Sequence, residues 1–552
     1  MSTPEASRGG SSLTALGLAL LCLPALVLLT PSLRDSLTPV SEGAGWALLA
    51  SLGLGLWLCL APDKTPPRAG LLLLLALGSA GLGRIRAGDS FEGDRALCGL
   101  MAASLCYLGG ARAAQRESAG LVRLLAIASI GWTLGAWLDT ILDAERAFAG
   151  VLGNTGDTSE AALPGALAGL VLAAERQRSQ RPWRALGALA VLGYVSYAGL
   201  VPVWAGSIAF LVSCALLSLW AVFGSGSRYR ARVALLASLA LATVLALRTG
   251  VLERDSTPPG EGSASAGAAD SGSTGGFAVR ALVWRRLPAM VLDHPWLGVG
   301  PGQFERSFPP YRDPAEIELS TQQHRSPSPI EVEHAHNDWL QALVEHGLIG
   351  GAALVVFLAW MALLALRALG STDSARAALA AASLGLLVNA AFNGPLFENA
   401  ASSTLGFACF GAPSARPGQA ASQKTLSGFA PVLCLAAALF LAPAALALVR
   451  HGRALAQLAH ASLVTVDGRV QQLAEQVGPI VERALAARPD SVVALSKRAQ
   501  FLRAVDAAIA ERSAVWERVL ELRPHRYEAL VALGNEKARL ALFGEARALY
   551  QR

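Results

Sequence analysis

Long apolar runs separated by short polar breaks fill most of the chain up to about residue 450, where the pattern changes to helices with one polar face. Runs at roughly 12–30, 45–61, 69–83, 97–111, 120–138, 160–174, 184–201, 204–223, 232–249, 348–366, 377–395, 399–412 and 427–449 predict about thirteen helical spans. A straight helix needs about 20 apolar residues to cross the hydrocarbon core, so several of these runs are short for a span. The pattern predicts an all-α chain: a polytopic transmembrane helical bundle of about 12–13 spans with a large polar loop and a small C-terminal helical-repeat domain. The expected division is N-terminal transmembrane helices at 1–144, a transmembrane core at 145–412 containing the loop at 250–347, a last span within 413–449, and repeats at 450–552. The run at 12–30 has the length of a signal peptide. Its leading segment is weakly basic, with Arg8, and no small-residue cleavage site follows, so it reads as a retained anchor.

Two long polar stretches interrupt the apolar series. Between Glu253 and Phe277 the loop is rich in Gly, Ser, Ala and Thr, a composition that buries too little apolar surface to order itself and predicts a flexible tether. After Arg450, Ala484-Leu485-Ala486-Ala487-Arg488-Pro489-Asp490 recurs as Val519-Leu520-Glu521-Leu522-Arg523-Pro524-His525, which sets Pro489 and Pro524 35 residues apart. That spacing resembles tetratricopeptide repeats, with a plain helical hairpin as the alternative. Two copies leave an apolar face that needs a neighbour. Arg552 falls inside what would be the second helix of the second copy, so a further segment or a protein partner is expected there.

Composition supports a membrane protein, at 53% hydrophobic and 16% charged residues with mean hydropathy +0.44. The net charge of +6 is small and scattered over short loops, which argues against nucleic acid as a partner and fits arginines that set topology. Placing the N-terminus in the cytoplasm gathers Lys64, Arg68, Arg112, Arg116, Arg176, Arg178, Arg181, Arg184, Arg228, Arg230, Arg232, Arg367, Arg376, Arg416 and Lys424 on the inner side. The loop at 250–347 and the C-terminal segment are then both extracytoplasmic. All seven cysteines lie inside apolar runs and read as small core residues, with no disulfide or CxxC pattern in a loop.

Titratable chemistry concentrates in the loop, which holds five of the eight histidines: His294, His324, His334, His336 and His346. One polar cluster runs from Arg280 through Trp284, Arg285 and Arg286 to Phe304; the other runs from His334 to Gly347. Asn337 and Asp338 are natural N-cap residues, so a helix through Trp339, Leu343 and Gly347 is predicted to begin there, and a helix start is an anion site. Gly298, Gly300 and Gly302 read as a tight turn or as a place where backbone approaches a phosphate. They are not a nucleotide fingerprint, because no strand–turn–helix unit surrounds them. A zinc site from His334, His336 and His346 is a further alternative. Against it stand the lack of cysteine or carboxylate ligands and the helix that carries His346 away.

The two clusters together resemble the O-antigen ligase and polymerase-like membrane family. That family's outward loop carries an Arg with a Trp four residues on and a Pro-x-x-Gly-x-Gly-x-Gly-x-Phe stretch. It closes with His-Asn-x-aromatic-Leu-Gln-x-x-x-Glu-x-Gly. Here these are Arg280, Trp284, Pro295, Gly298, Gly300, Gly302, Phe304, His336, Asn337, Trp339, Leu340, Gln341, Glu345 and Gly347. The resemblance covers roughly 145–412 and implies a GT-C-like bundle in a bacterial inner membrane. The implied activity moves a glycan from an undecaprenyl-diphosphate carrier to the hydroxyl of an acceptor lipid, glycan or protein at the outer face, with no metal or other cofactor. Such chemistry needs cations for the leaving diphosphate and a base for the acceptor proton. Arg280 suits the first role, since a guanidinium grips phosphate bidentately; a surface arginine snorkelling to the headgroups is the alternative. His336 suits the second, with a satisfied loop histidine as the alternative. Trp284, Asn337 and Glu345 are expected to support substrate binding.

Two departures modify the expectation. The family's Gly-Thr-x-x-Asn-x-Asn keeps Asn154 but has Gly156 at the second Asn, and the Ser-Arg-Gly that opens a later span is replaced by Leu200 to Ser207 without an arginine. Arg285 or Arg286 would have to supply that missing phosphate ligand. Two readings from other classes therefore stand beside the transferase: a transporter or flippase for a polyprenyl-linked glycan, and an inactive scaffold whose repeats recruit assembly partners. A transporter would place charges within its spans, and by sequence the interior spans carry almost none.

Overall fold

The computed structural model describes residues 70–86, 90–142, 155–175, 181–201, 204–223, 228–255, 274–323, 330–414, 429–460 and 470–552, a few single positions aside. The expected spans at 12–30 and 45–61, Asn154, His324 and the centre of the Gly/Ser-rich stretch fall outside the described residues. Every extended element among those described is helical.

The bundle begins with α1 (Gly70–Arg86) and α2 (Ser90–Leu142) and continues through α3 (Thr155–Ala174), α4 (Arg181–Leu200), α5 (Trp204–Phe223) and α6 (Arg228–Asp255). Sequence expects two spans at 97–111 and 120–138 with a turn between them. Helix continues without interruption from 90 to 142, and within it Phe91–Gln115 and Ser118–Leu138 are two separate apolar stretches, matching the two expected spans. The segment Arg112-Ala113-Ala114-Gln115-Arg116-Glu117 explains the continuity, because it is polar but made of strong helix formers with no proline or glycine to stop the ladder. Among the described residues, four stretches are long and apolar enough to cross a membrane, Phe91–Gln115, Ser118–Leu138, Tyr229–Leu247 and Asp338–Leu369, and Ala205–Ala221 and Ser374–Asn389 are shorter apolar helices. The chain is thus a helical membrane bundle.

The polar loop holds α7 (Thr274–Asp293), the short α8 (Phe304–Ser307) and α9 (Pro314–Gln323), and ends in α10 (Asp338–His346). A π-helical turn, Gly347–Gly351, leads into α11 (Ala352–Leu369), followed by α12 (Ser374–Asn389), α13 (Ala400–Ser414) and α14 (Phe429–His460). Close helix crossings build the core. A side chain on Gly110 would meet the Ala408 carbonyl at 2.0 Å, so α2 and α13 touch backbone to backbone. Small residues at such crossings are how helices associate where no hydrophobic drive separates them from lipid. Phe357 stacks on Phe407 at 6.0 Å and meets Tyr107 edge-on at 5.2 Å, filling the space beside that crossing. Cys98, Cys106, Cys214 and Cys409 are buried and form no disulfide.

The C-terminal region is α15 (Val470–Ala487), α16 (Val492–Ala504), α17 (Ile509–Leu522), α18 (Tyr527–Arg539) and α19 (Phe543–Gln551). Its helices share a core of their own that includes Val481, Leu495, Trp516, Val519 and Leu530. Buried Arg512 on α17 pairs with buried Glu536 on α18 at 2.8 Å. The region docks on the polar loop: Arg526 pairs with Glu305 at 2.8 Å and also with Glu331, and Arg523 pairs with Glu305. Arg488 reaches Asp94 of α2 at 3.3 Å, where Arg84 of α1 also pairs at 2.7 Å. Loop and C-terminal helices therefore lie on one face of the bundle.

Candidate functional site

Four residues of helical spacing put Arg280 and Trp284 on one face of α7, while Val283, Leu287 and Met290 are buried against Phe304, Phe308, Ala335 and Val344. Arg280 Nη1 donates to the Phe392 carbonyl at 2.7 Å. Trp284 Nε1 donates to the Ala335 carbonyl at 2.7 Å, and Phe277 meets its ring edge-on.

The start of α10 reaches the same segment of chain. Asn337 is the N-cap, its Oδ1 accepting from the Leu340 N–H at 3.0 Å, as the sequence predicts. Its Nδ2 donates to the Ala391 carbonyl at 2.9 Å, and the Asp338 N–H donates to the Ala390 carbonyl at 2.8 Å. The successive carbonyls of 390, 391 and 392 are thus held by Asp338, Asn337 and Arg280 in turn. The Asp338 carboxylate completes the seam by accepting from the Leu396 N–H at 2.9 Å.

His336 sits between Ala335, held by Trp284, and Asn337. It is half-buried and its φ is +50°, a left-handed conformation uncommon outside glycine. Such a backbone persists only where its surroundings over-determine it. Here the flanking residues are fixed on both sides by the bonds just described.

Glu345 and the glycines pack at the other end of α10. The Val299 and Gly300 N–H groups donate to the carbonyls of Val344 and Glu345, each at 3.0 Å, and the Gly302 N–H donates to Glu345 Oε2 at 2.8 Å. Gly298, Gly300 and Gly302 all have positive φ. The glycines make a tight turn seated on the C-terminal end of α10, and Glu345 holds that turn in place. Gly347, with φ +62°, ends α10 one residue past His346, so the predicted helix stops there and re-enters through the π turn.

Arg285 and Arg286 are exposed and point away from the Arg280 face, five and six residues further along the helix. Arg286 pairs with Asp313 at 2.6 Å. The structure therefore gathers Arg280, Trp284, His336 and Asn337 at one seam, sets Glu345 behind it, and leaves Arg285 and Arg286 outside. Among the described residues no group of three or more His, Cys, Asp or Glu side chains is arranged to hold a metal ion.

Several residues beside the seam escape a motif-based reading. His334 Nδ1 lies 3.4 Å from Glu398 Oε1. Burial, then the positive charge of Arg95, pushes the His334 pKa well below its usual value; burial, then the neighbouring Asp338 and Asp157 charges, pushes Glu398 well above. Burial thus disfavours the charged form of both partners. Arg95 comes from α2, where it pairs with Glu92 at 2.7 Å. Glu160, fully buried in α3, accepts from Asn393 and, at 3.2 Å, from Asn399. Glu160 and Arg95 correct the expectation that the spans are almost free of charge. The signal that finds them is an ionisable residue at the edge of an apolar run.

Residues 193–355 match the family model described as O-Antigen ligase, a stretch that runs from α4 through the whole polar loop into α11. No curated relative matches the chain. The matched stretch contains the Arg280–Trp284 face, the glycine turn and the His336–Asn337 helix start. Over residues 193–355 the chain is thus similar to the O-antigen ligase family, and both loop motifs lie inside the matched stretch.

Proposed function

We propose that this chain transfers a glycan from an undecaprenyl-diphosphate carrier to an acceptor hydroxyl at the outer face of a bacterial inner membrane. The reading rests on the seam at 390–392, to which α7 brings a guanidinium and the start of α10 brings a histidine in a constrained backbone. Arg280 spends one N–H on the Phe392 carbonyl, and its other donors bind the diphosphate. The acceptor oxygen attacks the anomeric carbon as the bond from that carbon to the diphosphate oxygen breaks, and the acceptor proton passes to His336. The diphosphate leaves with the bonding pair, its charge held by Arg280, and the anomeric centre inverts. Asn337 orients the helix start and Trp284 fixes the backbone that presents His336. Arg95, rather than Arg285 or Arg286, stands on the side of the seam where a second cation would act.

The test is transfer by the purified protein from an undecaprenyl-diphosphate glycan to lipid, glycan and peptide acceptors, with and without chelator. The account expects product with one acceptor class, unchanged by chelator. A chain that moves the carrier between leaflets without forming a new glycosidic bond would instead be a flippase, and one that does neither a scaffold.

A further inference from the structure

Apolar surface does not stop where a membrane-crossing stretch meets the polar loop. Within Asp338–Leu369, which is long and apolar enough to cross a membrane, Ile349, Val356, Trp360, Leu363 and Leu366 are all exposed. Their spacing sets them on one side of the π turn and α11, while Leu354, Phe357, Leu358 and Met361 are buried on the other. A stripe turned out of the bundle in such a stretch faces lipid. Exposed Arg367 closes it at one end, a long cation of the kind that reaches headgroups. From Ile349 to Leu366 the stripe is roughly 25 Å long at ~1.5 Å per residue, a few ångströms short of the ~30 Å hydrocarbon core.

At the other end the loop supplies more apolar surface. The Leu348 and Ile349 N–H groups donate to the carbonyls of Pro295 and Trp296 at 2.7 and 3.2 Å. A Cβ on Gly347 would lie 2.5 Å from the Trp296 carbonyl. The turn that follows α7 is therefore seated directly on the start of the stripe. There Trp296 is 67% exposed, and Leu292 at the end of α7 is 77% exposed. Such side chains scattered singly need no account, but these two extend an apolar face already turned to lipid. Asp293 and His294 between them are exposed and polar, and the Asp293 carboxylate accepts from the Tyr311 hydroxyl at 2.7 Å. Apolar and polar groups sharing one corner suit the headgroup boundary, where tryptophan is enriched, and not the hydrocarbon interior.

We propose that Leu292 and Trp296 insert into the boundary between lipid headgroups and acyl chains, and so fasten the polar loop to the bilayer surface beside the span that follows it. The glycine turn follows Trp296 directly and is bonded to the end of α10, so this contact sets the depth of that helix relative to the membrane. Full-length protein in nanodiscs of phosphatidylethanolamine and phosphatidylglycerol tests this, with Leu292, Trp296, Val356 or Glu318 replaced in turn by the photocrosslinker p-benzoylphenylalanine. Val356 lies within the stripe, and Glu318 is an exposed polar position on α9. After irradiation, mass spectrometry reads the share of protein that carries a phospholipid adduct. The proposal expects shares at 292 and 296 within a few-fold of that at 356 and at least tenfold above that at 318. Shares at 292 and 296 no higher than at 318 overturn it, because both positions then face water. Crosslinks from 292 and 296 to a second protein chain in place of lipid also overturn it, by assigning the face to a protein partner.

Discussion

At Gly302 a positive φ of +67° coincides with backbone contact, since an added Cβ would lie 2.4 Å from the Glu92 carbonyl of α2. Gly302→Ala is expected to cost at least the ~1–3 kcal/mol of a strained backbone, and to release Glu345 from its N–H donor. A lowered thermal midpoint together with reduced transfer checks this. Glu398 governs a pH dependence. Its folded pKa is raised, so between the ordinary value of 4.5 and the raised one the folded chain keeps a proton the unfolded chain has lost. Stability from this group is therefore fully present below about pH 4.5 and falls as pH rises through that window. Glu398→Gln should flatten that alkaline-side decline, read as the thermal midpoint of variant minus parent growing more positive from acid to neutral pH. His334 acts in the opposite sense: its lowered pKa gives stability that is complete above 6.5 and fades as pH falls.

Helix α10 shows what the sequence made legible at the scale of an element. The Asn-Asp pair before an amphipathic run predicts the N-cap, and Asn337 caps. Its second role, donation to Ala391, is invisible locally because the partner is 54 residues away. Two variants separate the roles. Asn337→Ser keeps an oxygen for the Leu340 N–H but has no amide to donate to Ala391, whereas Asn337→Ala loses both. The account expects N337A to be less stable than N337S by about 1 kcal/mol, the worth of a cap, in chemical unfolding of the solubilised protein. In α2 the hydropathy dip at 112–119 correctly separates two apolar stretches, Phe91–Gln115 and Ser118–Leu138, while helix formers with no proline or glycine keep the helix continuous across it.

For the whole molecule, apolar periodicity was enough to give the helical bundle, and the two loop motifs pointed to the family whose model residues 193–355 match. What lay beyond reach was which distant elements meet. Arg95 and Glu160 belong to helices more than a hundred residues before the motifs, and their roles appear only once α2 and α3 pack against the loop and the 390–399 segment. Arg285 and Arg286 fail as companions of Arg280 for a related reason, because adjacency in sequence on a helix places them on different faces. The central claim is that Arg280 and His336 serve one reacting centre. A double-mutant cycle on transfer rate tests it most directly, using R280A, H336A and the double variant. Groups acting as a unit give single losses of about 10²- to 10⁴-fold with little further loss when combined. The account predicts that strongly non-additive result, whereas losses that multiply would contradict it by showing two groups that act independently.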